Sequence, residues 1–204
     1  MEKFVRLSAT ACPLSLPNLN TDQILPARYL KWPRSKGLGT VLFDDVRLAA
    51  NGKPRDDFAF NNEAYRGAKI LLAGRNFGGG SSREAAVYAL YDHGFRCVVA
   101  PSFGDIFSQN AVKNGLLTAV ATETDIEKLA ALVREKASQL VTVDLEKQMI
   151  TADDVSFAFM IDPISRNQLL NGWDDVDLTE SYRERIAAFR AKDEKIRPWV
   201  TPAQ

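Results

Sequence analysis

The stretch Lys69–Leu117 decides the fold of this chain and reads KILLAGRNFGGGSSREAAVYALYDHGFRCVVAPSFGDIFSQNAVKNGLL. It contains two short apolar segments that are typical of buried strands, Ile70–Ala73 and Cys97–Ala100, and it ends within a third, Leu116–Val120. A helical pattern separates each pair of segments, and these patterns end near Gly94 and at Asn114–Gly115. Strands and helices that alternate at this spacing predict right-handed crossovers and a largely parallel sheet, which is an α/β fold.

The first of these strand-to-helix junctions is rich in glycine. The segment Gly78–Glu84, which we call the glycine loop, holds three glycines, two serines, an arginine and a glutamate. Backbone N–H groups at such a junction can bind an anion. Ser81 and Glu84 also match the S-x-x-E capping box, so we predict that Ser81 is the N-cap of the following helix.

Single residues of the glycine loop exclude two nucleotide-binding motifs. A Walker phosphate loop needs a lysine where this chain has Gly80. A dinucleotide fingerprint needs its third glycine at the position of Arg83. The remaining interpretation is a site for a small carboxylate, in which glycine amides face the anion and Arg83 offers it a bidentate fork.

Two alternatives remain open for Ser81. As an N-cap it would only satisfy backbone donors. A hydroxyl is a poor base unless surrounding donors and charge stabilise its deprotonated form, and here both are adjacent, so Ser81 is also a candidate base. Arg83 is either a surface residue or a ligand-facing one, and its place in the first turn, against the helix macrodipole, favours the second role.

Composition limits the remaining functions. The 204 residues, 46% of them hydrophobic, suggest one domain over 1–204, with a core at about 4–161 and a helical extension at about 163–195. Lys and Arg number 26 against 26 Asp and Glu, so no broad electropositive surface for nucleic acid is expected.

Cys12 and Cys97 lie too far apart for a self-contained zinc or iron–sulfur site. We expect a cytoplasmic protein, because neither a signal peptide nor a membrane span is evident.

The segment before the central stretch is less regular. We predict a strand over Phe4–Ala9, with Pro13 and Pro17 interrupting regular structure after it. Asp22 lies in a polar turn, where it would serve as an Asx-turn or cap residue. The basic segment 27–40, which contains Arg34, is either solvated surface or a loop that reaches over a neighbouring site to supply a charge.

For the segment after the central stretch we predict helices and strands with a structural role. We predict a helix from Thr124 or Asp125 to about Lys136 and a longer amphipathic helix over Thr179–Lys192. Three short β segments and one further helix complete the pattern: Leu140–Leu145, Met149–Ala152, Ser156–Ile161 and Pro163–Asn171, the last ended by Gly172.

Three segments carry a specific family resemblance: NTDQILPARYL, GRNFGGGSSREAAVYAL and GFRCVVAPSFGDIFSQNAVKNGLL. They resemble the small subunits of the 3-isopropylmalate dehydratases, which form the swivelling domain of the aconitase superfamily. The resemblance covers most of the chain, at least from Phe4 to the region of Ile161. It implies a swivelling β/β/α domain of aconitase type, with a largely parallel central sheet flanked by helices.

The resemblance also implies an activity and a partner. Members of this family interconvert 2-isopropylmalate and 3-isopropylmalate by dehydration and rehydration, a step of leucine biosynthesis. Their large subunit holds a 4Fe-4S cluster through three cysteines and leaves one iron open as a Lewis acid. By resemblance, this chain binds no cofactor itself and is inactive without that large subunit.

By matching motif positions, the resemblance assigns roles to individual residues. Ser81 corresponds to the serine that takes the proton from carbon, and Asp22 to an aspartate that assists a histidine from the other part of the site. The substrate-binding residues would be Ser82, Arg83, Gly80 and, by ungapped counting through the basic segment, Arg34.

Two positions depart from the family pattern, which commonly reads GCGSSREH. Gly79 stands in place of the cysteine and Ala85 in place of the histidine. These departures leave two alternatives open: a paralogous subunit acting on another malate derivative, such as citramalate or dimethylmalate, and a non-catalytic module that binds a carboxylate or phosphate.

Overall fold

The computed structural model describes residues 1–80 and 83–200. Its strands are β1 (Arg6–Ala9), β2 (Ala11–Pro13), β3 (Ile70–Leu72), β4 (Cys97–Ala100), β5 (Leu117–Val120), β6 (Val141–Asp144), β7 (Met149–Ala152) and β8 (Val155–Ala158). Its α-helices are α1 (Thr21–Ile24), α2 (Asp44–Arg47), α3 (Glu84–His93), α4 (Asp105–Lys113), α5 (Glu123–Glu135), α6 (Pro163–Asn171), α7 (Asp175–Glu180) and α8 (Arg183–Ile196). Within these described ranges, no helix has the length and apolarity that crossing a bilayer requires.

A parallel sheet with the order β2-β3-β4-β5 forms the centre of the fold. The predicted strands and the helices α3 and α4 between them are confirmed, and the C-cap of α3 is Gly94. Strand β2 was not predicted, because Pro13 was expected to interrupt regular structure. Pro13 is the last residue of this edge strand, where a missing N–H group is tolerated.

An antiparallel sheet with the order β1-β6-β7-β8 lies beside the parallel one. It contains the three β segments that were predicted after residue 140, and β1 joins it by pairing Leu7 with Val143. The predicted first strand begins at Arg6 rather than at Phe4. Only Thr10 separates β1 from β2, so the amino-terminal segment connects the two sheets directly.

The core has two parts because alternate residues of the parallel strands face opposite sides. Leu71 and Val98 belong to the cluster that includes Leu90 of α3. Ile70 and Val99 belong to the other cluster, which continues through α5 and the antiparallel sheet. Both faces of the parallel sheet are therefore buried, as is usual for such sheets.

Two helix predictions after the parallel sheet are wrong in their bounds. Helix α5 begins at Glu123, because the hydroxyl of Thr122 accepts from the N–H of Asp125 and caps the helix earlier than predicted. The predicted helix Thr179–Lys192 is divided into α7 and α8. A capping box at Asp174 starts α7, which ends at Glu180 before the chain turns into α8.

Candidate active site

The glycine loop leaves the carboxyl end of β3 and is fixed by backbone hydrogen bonds to two other segments. The N–H of Gly78 donates to the carbonyl of Leu19 at 2.7 Å, and the N–H of Thr21 donates to the carbonyl of Gly79 at 3.2 Å. The N–H of Phe77 donates to the carbonyl of Ser102 at 3.1 Å. The loop thus lies between the segment that leads into α1 and the loop that follows β4.

Close backbone packing explains why the loop needs glycine. Gly78 has a φ of +71°, and a Cβ atom there would lie 2.6 Å from Cδ2 of Phe107. A Cβ atom on Gly104, which precedes α4, would lie 2.6 Å from the carbonyl oxygen of Gly78. A side chain at either position would therefore push the loop away from the start of α4.

Helix α3 begins later than the capping box requires. Its first residue is Glu84, its N-cap is Arg83, and no side chain of the described residues caps it. The carboxylate of Glu84 instead accepts from the amide of Asn114 at 3.0 Å. The prediction that Glu84 is the third helical position is therefore wrong, and Ser81 and Ser82 lie outside the described residues.

Arg83 and Asp22 form an ion pair between the start of α3 and the short helix α1. The Arg83 side chain is 22% exposed, whereas that of Asp22 is 53% exposed. Asp22 is not the cap of α1, as the sequence suggested, because Asn20 and Gln23 form the capping box there. Asp22 pairs instead through its Oδ1 atom with Nη1 of Arg83, and a guanidinium is a group that also binds ligand carboxylates.

Arg34 lies elsewhere along α3. Its Nε and Nη2 atoms donate to Oδ1 of Asp92 at 3.0 and 2.7 Å, and its guanidinium lies 4.6 Å from the ring centroid of Tyr88. The hydrogen bond to Asp92 raises the pKa of Arg34 above its ordinary value. Asp92 is nine residues beyond Arg83, which corresponds to about 13 Å along the helix. The structure thus brings Arg83, Asp22 and the glycine loop together and holds Arg34 at the other end of α3.

The segment around Arg34 is fixed to α3 by a second contact. A Cβ atom on Gly39 would lie 2.7 Å from Cα of His93, so the two backbones touch. His93 Nδ1 also lies 3.2 Å from the carbonyl oxygen of Gly39. The basic segment is therefore packed along α3 and does not extend freely into solvent.

Two asparagines that were not predicted as site residues, Asn20 and Asn76, support the loop. Asn20 forms a bridge with Gly79 and caps α1, and the N-x-x-Q spacing of its capping box was the available signal. Asn76 has a φ of +56°; its N–H donates to Ser102 Oγ at 2.9 Å and its side chain donates to Asn18 at 3.1 Å. Such a position has no local sequence signal beyond the tolerance of asparagine for positive φ.

The two departures from the family pattern have different surroundings. A Cβ atom at Gly79 would lie 2.7 Å from Oδ1 of Asn76, so a cysteine there would require the Asn76 side chain to move. Ala85 is half-buried in the first turn of α3 and packs against the core. Gly80 is exposed, with a φ of +94°.

A cavity of about 220 Å³ opens beside the glycine loop, between the loop and the start of α4. Gly78, Gly79 and Gly80 line one side, and Asp105 and Phe107 line the other. The cavity is a concave surface with glycine backbone at its wall, which suits a small ligand, but its lining includes neither Arg83 nor Asp22.

The described residues do not fit an iron–sulfur cluster. Cys12 and Cys97 are both buried, and burial raises the pKa of the Cys12 thiol to about 12 and that of Cys97 further. A cluster ligand is a thiolate, which these surroundings disfavour. Residues 1–80 and 83–200 contain no group of three His, Cys, Asp or Glu side chains that could hold a metal ion.

Comparisons with known proteins agree with this fold. The aconitase C-terminal domain family matches residues 1–124. The 3-isopropylmalate dehydratase small subunit of Rhodospirillum centenum is 50% identical over 201 residues, which cover 98% of this chain and 99% of that protein. The small subunit of the same name from Paramagnetospirillum magneticum is 46% identical over 201 residues, covering 98% and 100% of the two chains.

A solved structure shows the same fold at lower identity. It is a 3-isopropylmalate dehydratase from Methanocaldococcus jannaschii, with a TM-score of 0.61 and 24% sequence identity. The match covers 91% of this chain and 99% of the other. The predicted aconitase-type α/β fold is confirmed, and the chain belongs to the aconitase C-terminal domain family, among the small subunits of the 3-isopropylmalate dehydratases.

Proposed function

We propose that this chain supplies the substrate-carboxylate site and the catalytic base of a 3-isopropylmalate dehydratase. The enzyme is a hydro-lyase that interconverts 2-isopropylmalate and 3-isopropylmalate for leucine biosynthesis. The observation that carries the proposal is the ion pair of Arg83 and Asp22 beside the glycine loop. It supports Arg83 as a carboxylate receptor, because the guanidinium already holds a carboxylate at the start of a helix.

Substrate binding would exchange one carboxylate for another. A substrate carboxylate would displace Asp22 from Arg83, with further donors from Ser82 and the backbone of Gly80. The Asp22 side chain is 53% exposed, so a substrate carboxylate would approach the pair from that side. Asp22, once released, would be free to orient a histidine contributed by the partner.

Proton transfer would then fall to Ser81. Removal of a proton from the carbon next to a carboxylate builds negative charge on that carboxylate. Arg83 would stabilise this developing charge more strongly than the ground state, which is the condition for lowering the barrier. The proposal places the base only two residues before the arginine, so a single loop would carry both functions.

The rest of the site would come from a large subunit. The relatives are named small subunits, which implies such a partner, and the described residues of this chain do not fit a cluster. A 4Fe-4S cluster on the large subunit would supply the Lewis acid for the substrate hydroxyl. Arg34 would reach the substrate only after leaving Asp92, so we propose it as a residue of the assembled enzyme.

The experiment that tests the proposal is an anaerobic reconstitution. The chain is mixed with a cluster-loaded large subunit of a 3-isopropylmalate dehydratase, and turnover is measured with 2-isopropylmalate, 3-isopropylmalate, citramalate and dimethylmalate. We expect turnover of the isopropylmalates and none by either chain alone. A preference for citramalate or dimethylmalate would identify a paralogue with a substrate pocket altered at Gly79 and Ala85. Binding of a dicarboxylate without turnover of any substrate would favour the non-catalytic module.

A further inference from the structure

A second cavity lies at the opposite end of the parallel sheet from the glycine loop. It has a volume of about 230 Å³ and is lined by Lys3, Arg6, Lys69 and Arg96, with Glu2 as its single carboxylate. Lys69 precedes β3 and Arg96 precedes β4, so the cavity lies at the amino ends of these strands. Four cations thus surround one concave surface in a chain whose net charge is zero.

Arg96 is held in place before any ligand binds. Its Nη1 atom donates to the carbonyl oxygens of Tyr91 and Phe95 at 2.9 and 2.8 Å, and its Cζ lies 3.7 Å from the centroid of the Tyr91 ring. Its Nε and Nη2 atoms donate to none of the described residues. The Arg96 guanidinium therefore has a fixed orientation, and its Nε and Nη2 atoms remain available as donors. This arrangement can bind an oxyanion.

The position of Lys69 next to Arg96 follows from the register of the sheet. Ile70 pairs with Cys97 across the parallel strands β3 and β4, and the N–H of Arg96 donates to the carbonyl of Lys69 at 2.9 Å. The two cationic residues are therefore immediate neighbours on adjacent strands. Like charges so placed repel each other unless an anion lies between them.

The charges of this cavity have no partners among the described residues. None of its four cations forms an ion pair there, whereas the exposed Arg66 and Arg55 pair with Glu63 and Asp57. Arg6 lies opposite Asp144 in the β1–β6 ladder, but the Asp144 carboxylate accepts from the N–H of Lys147 instead. The cavity is a local excess of positive charge.

We propose that this cavity binds a small anion that carries a carboxylate or phosphoryl group. Arg96 and Lys69 would hold the anionic group, and Lys3 and Arg6 would face it from the amino-terminal segment and the start of β1. Phe4 and Leu7 add an apolar wall that suits a short carbon chain. The cavity is smaller than the usual range of about 300–1,000 Å³ for drug-sized ligands, which favours a small anion over a nucleotide. The proposal does not depend on the activity of the glycine loop.

The test is titration of the purified chain with inorganic phosphate and, separately, with malate, followed by calorimetry and by NMR signals of Tyr91. Sodium chloride at the same ionic strength serves as the reference. We expect the signals of Tyr91, which lines this cavity, to show saturable binding apart from any malate bound at the glycine loop, and the stronger of the two ligands identifies the phosphoryl or the carboxylate source. The double variant Lys3→Gln/Arg6→Gln should weaken binding by about tenfold, or about 1.4 kcal/mol. Arg96→Lys, which keeps the charge and removes the fork, should weaken it similarly.

Two further variants make the outcome specific. Arg190→Gln/Lys192→Gln removes the same charge from α8, far along the chain from the cavity, and should leave the affinity unchanged. Arg83→Gln should also leave it unchanged, which separates this cavity from the glycine loop. Absence of saturable binding, an equal loss in the α8 variant, or a loss confined to Arg83→Gln would each overturn the proposal.

Discussion

Arg83 and Asp22 form an ion pair that joins the first residue before α3 to the short helix α1. The two residues are 61 positions apart in sequence, and the glycine loop brings them together because its backbone pairs with the segment before α1. The Arg83 side chain of this pair is largely buried, whereas the Asp22 side chain is half-exposed. A ligand carboxylate from solvent can therefore compete with Asp22 for the same fork.

The first prediction concerns the guanidinium of Arg83. Arg83→Lys keeps the charge but loses bidentate geometry, so the assembled enzyme should lose about 100-fold or more in turnover. Steady-state kinetics of the reconstituted enzyme with 3-isopropylmalate measure the effect. Size-exclusion chromatography should show that the variant still assembles with the large subunit.

A matched control uses another arginine–carboxylate pair. Arg66 is paired with Glu63 in an exposed turn away from the glycine loop, so Arg66→Lys should keep the wild-type rate. Near-normal turnover of Arg83→Lys, or an equal loss in Arg66→Lys, would contradict the assignment of Arg83 to the substrate carboxylate.

The second prediction concerns Arg34, which Asp92 holds at the far end of α3. If Arg34 binds substrate in the assembled enzyme, Arg34→Ala should raise KM by about tenfold, because a charge-assisted hydrogen bond is lost. Asp92→Asn should lower KM, because Arg34 no longer has to leave a carboxylate. Both variants should fold, since an exposed pair of this kind contributes about 1 kcal/mol or less.

If the Arg34–Asp92 pair has a positioning role instead, the expected change in KM for Asp92→Asn has the opposite sign. If Asp92 is needed to position the whole basic segment, then Asp92→Asn should raise KM as Arg34→Ala does. Comparison of the two KM values by initial-rate kinetics therefore decides between release and positioning.

The central strands and helices could be predicted from the sequence because their signals are local. Apolar runs, a helical period and a terminal glycine such as Gly94 lie within one element each. The place of Arg34 could not be predicted, because its partner Asp92 is 58 residues away and only the fold brings them together. The same holds for β2: Pro13 is tolerated there because β2 lies at the edge of the sheet, which no local pattern shows.

Only the part of the candidate site that lies within one local motif could be predicted from the sequence. The glycine loop and Arg83 have a local signature, whereas the pairing of Arg83 with Asp22 depends on tertiary contacts. The capping-box prediction for α3 is wrong because the helix begins two residues later than the S-x-x-E spacing implies. Glu84 is then available to bind Asn114, a contact that helps to join α3 to α4.

The third prediction tests the packing of the glycine loop. Gly78→Ala combines a left-handed backbone with a contact against the Phe107 ring, whereas Gly52→Ala has a similar φ of +76° and no atom within 4 Å of the new Cβ. We expect Gly52→Ala to lower the free energy of unfolding by about 1 kcal/mol, the cost of the backbone alone. Gly78→Ala should cost about 1–3 kcal/mol more, because the ring must move. Urea denaturation of both variants measures the difference, and equal costs would show that the contact with Phe107 relaxes freely.

The fourth prediction concerns the two buried thiols. Burial raises the pKa of Cys12 to about 12 and raises that of Cys97 as well, whereas an unfolded cysteine titrates near about 8.5. Above that pH the unfolded chain releases thiol protons that the folded chain retains, so stability that is complete below about pH 8.5 is lost as pH rises. The limiting slope is about 1.4 kcal/mol per pH unit for each thiol.

Urea denaturation between pH 8 and 9 measures this slope, because tyrosines and lysines are still largely protonated there. The double variant Cys12→Ala/Cys97→Ala should be less stable at every pH because of the cavities it creates, but its stability should change less over this interval. The native thiols should also resist a disulfide reagent at pH 8 and react once urea unfolds the chain, because the reactive species is the thiolate. Rapid reaction of the folded chain would mean that the strands β2 and β4, which carry these cysteines, open without global unfolding.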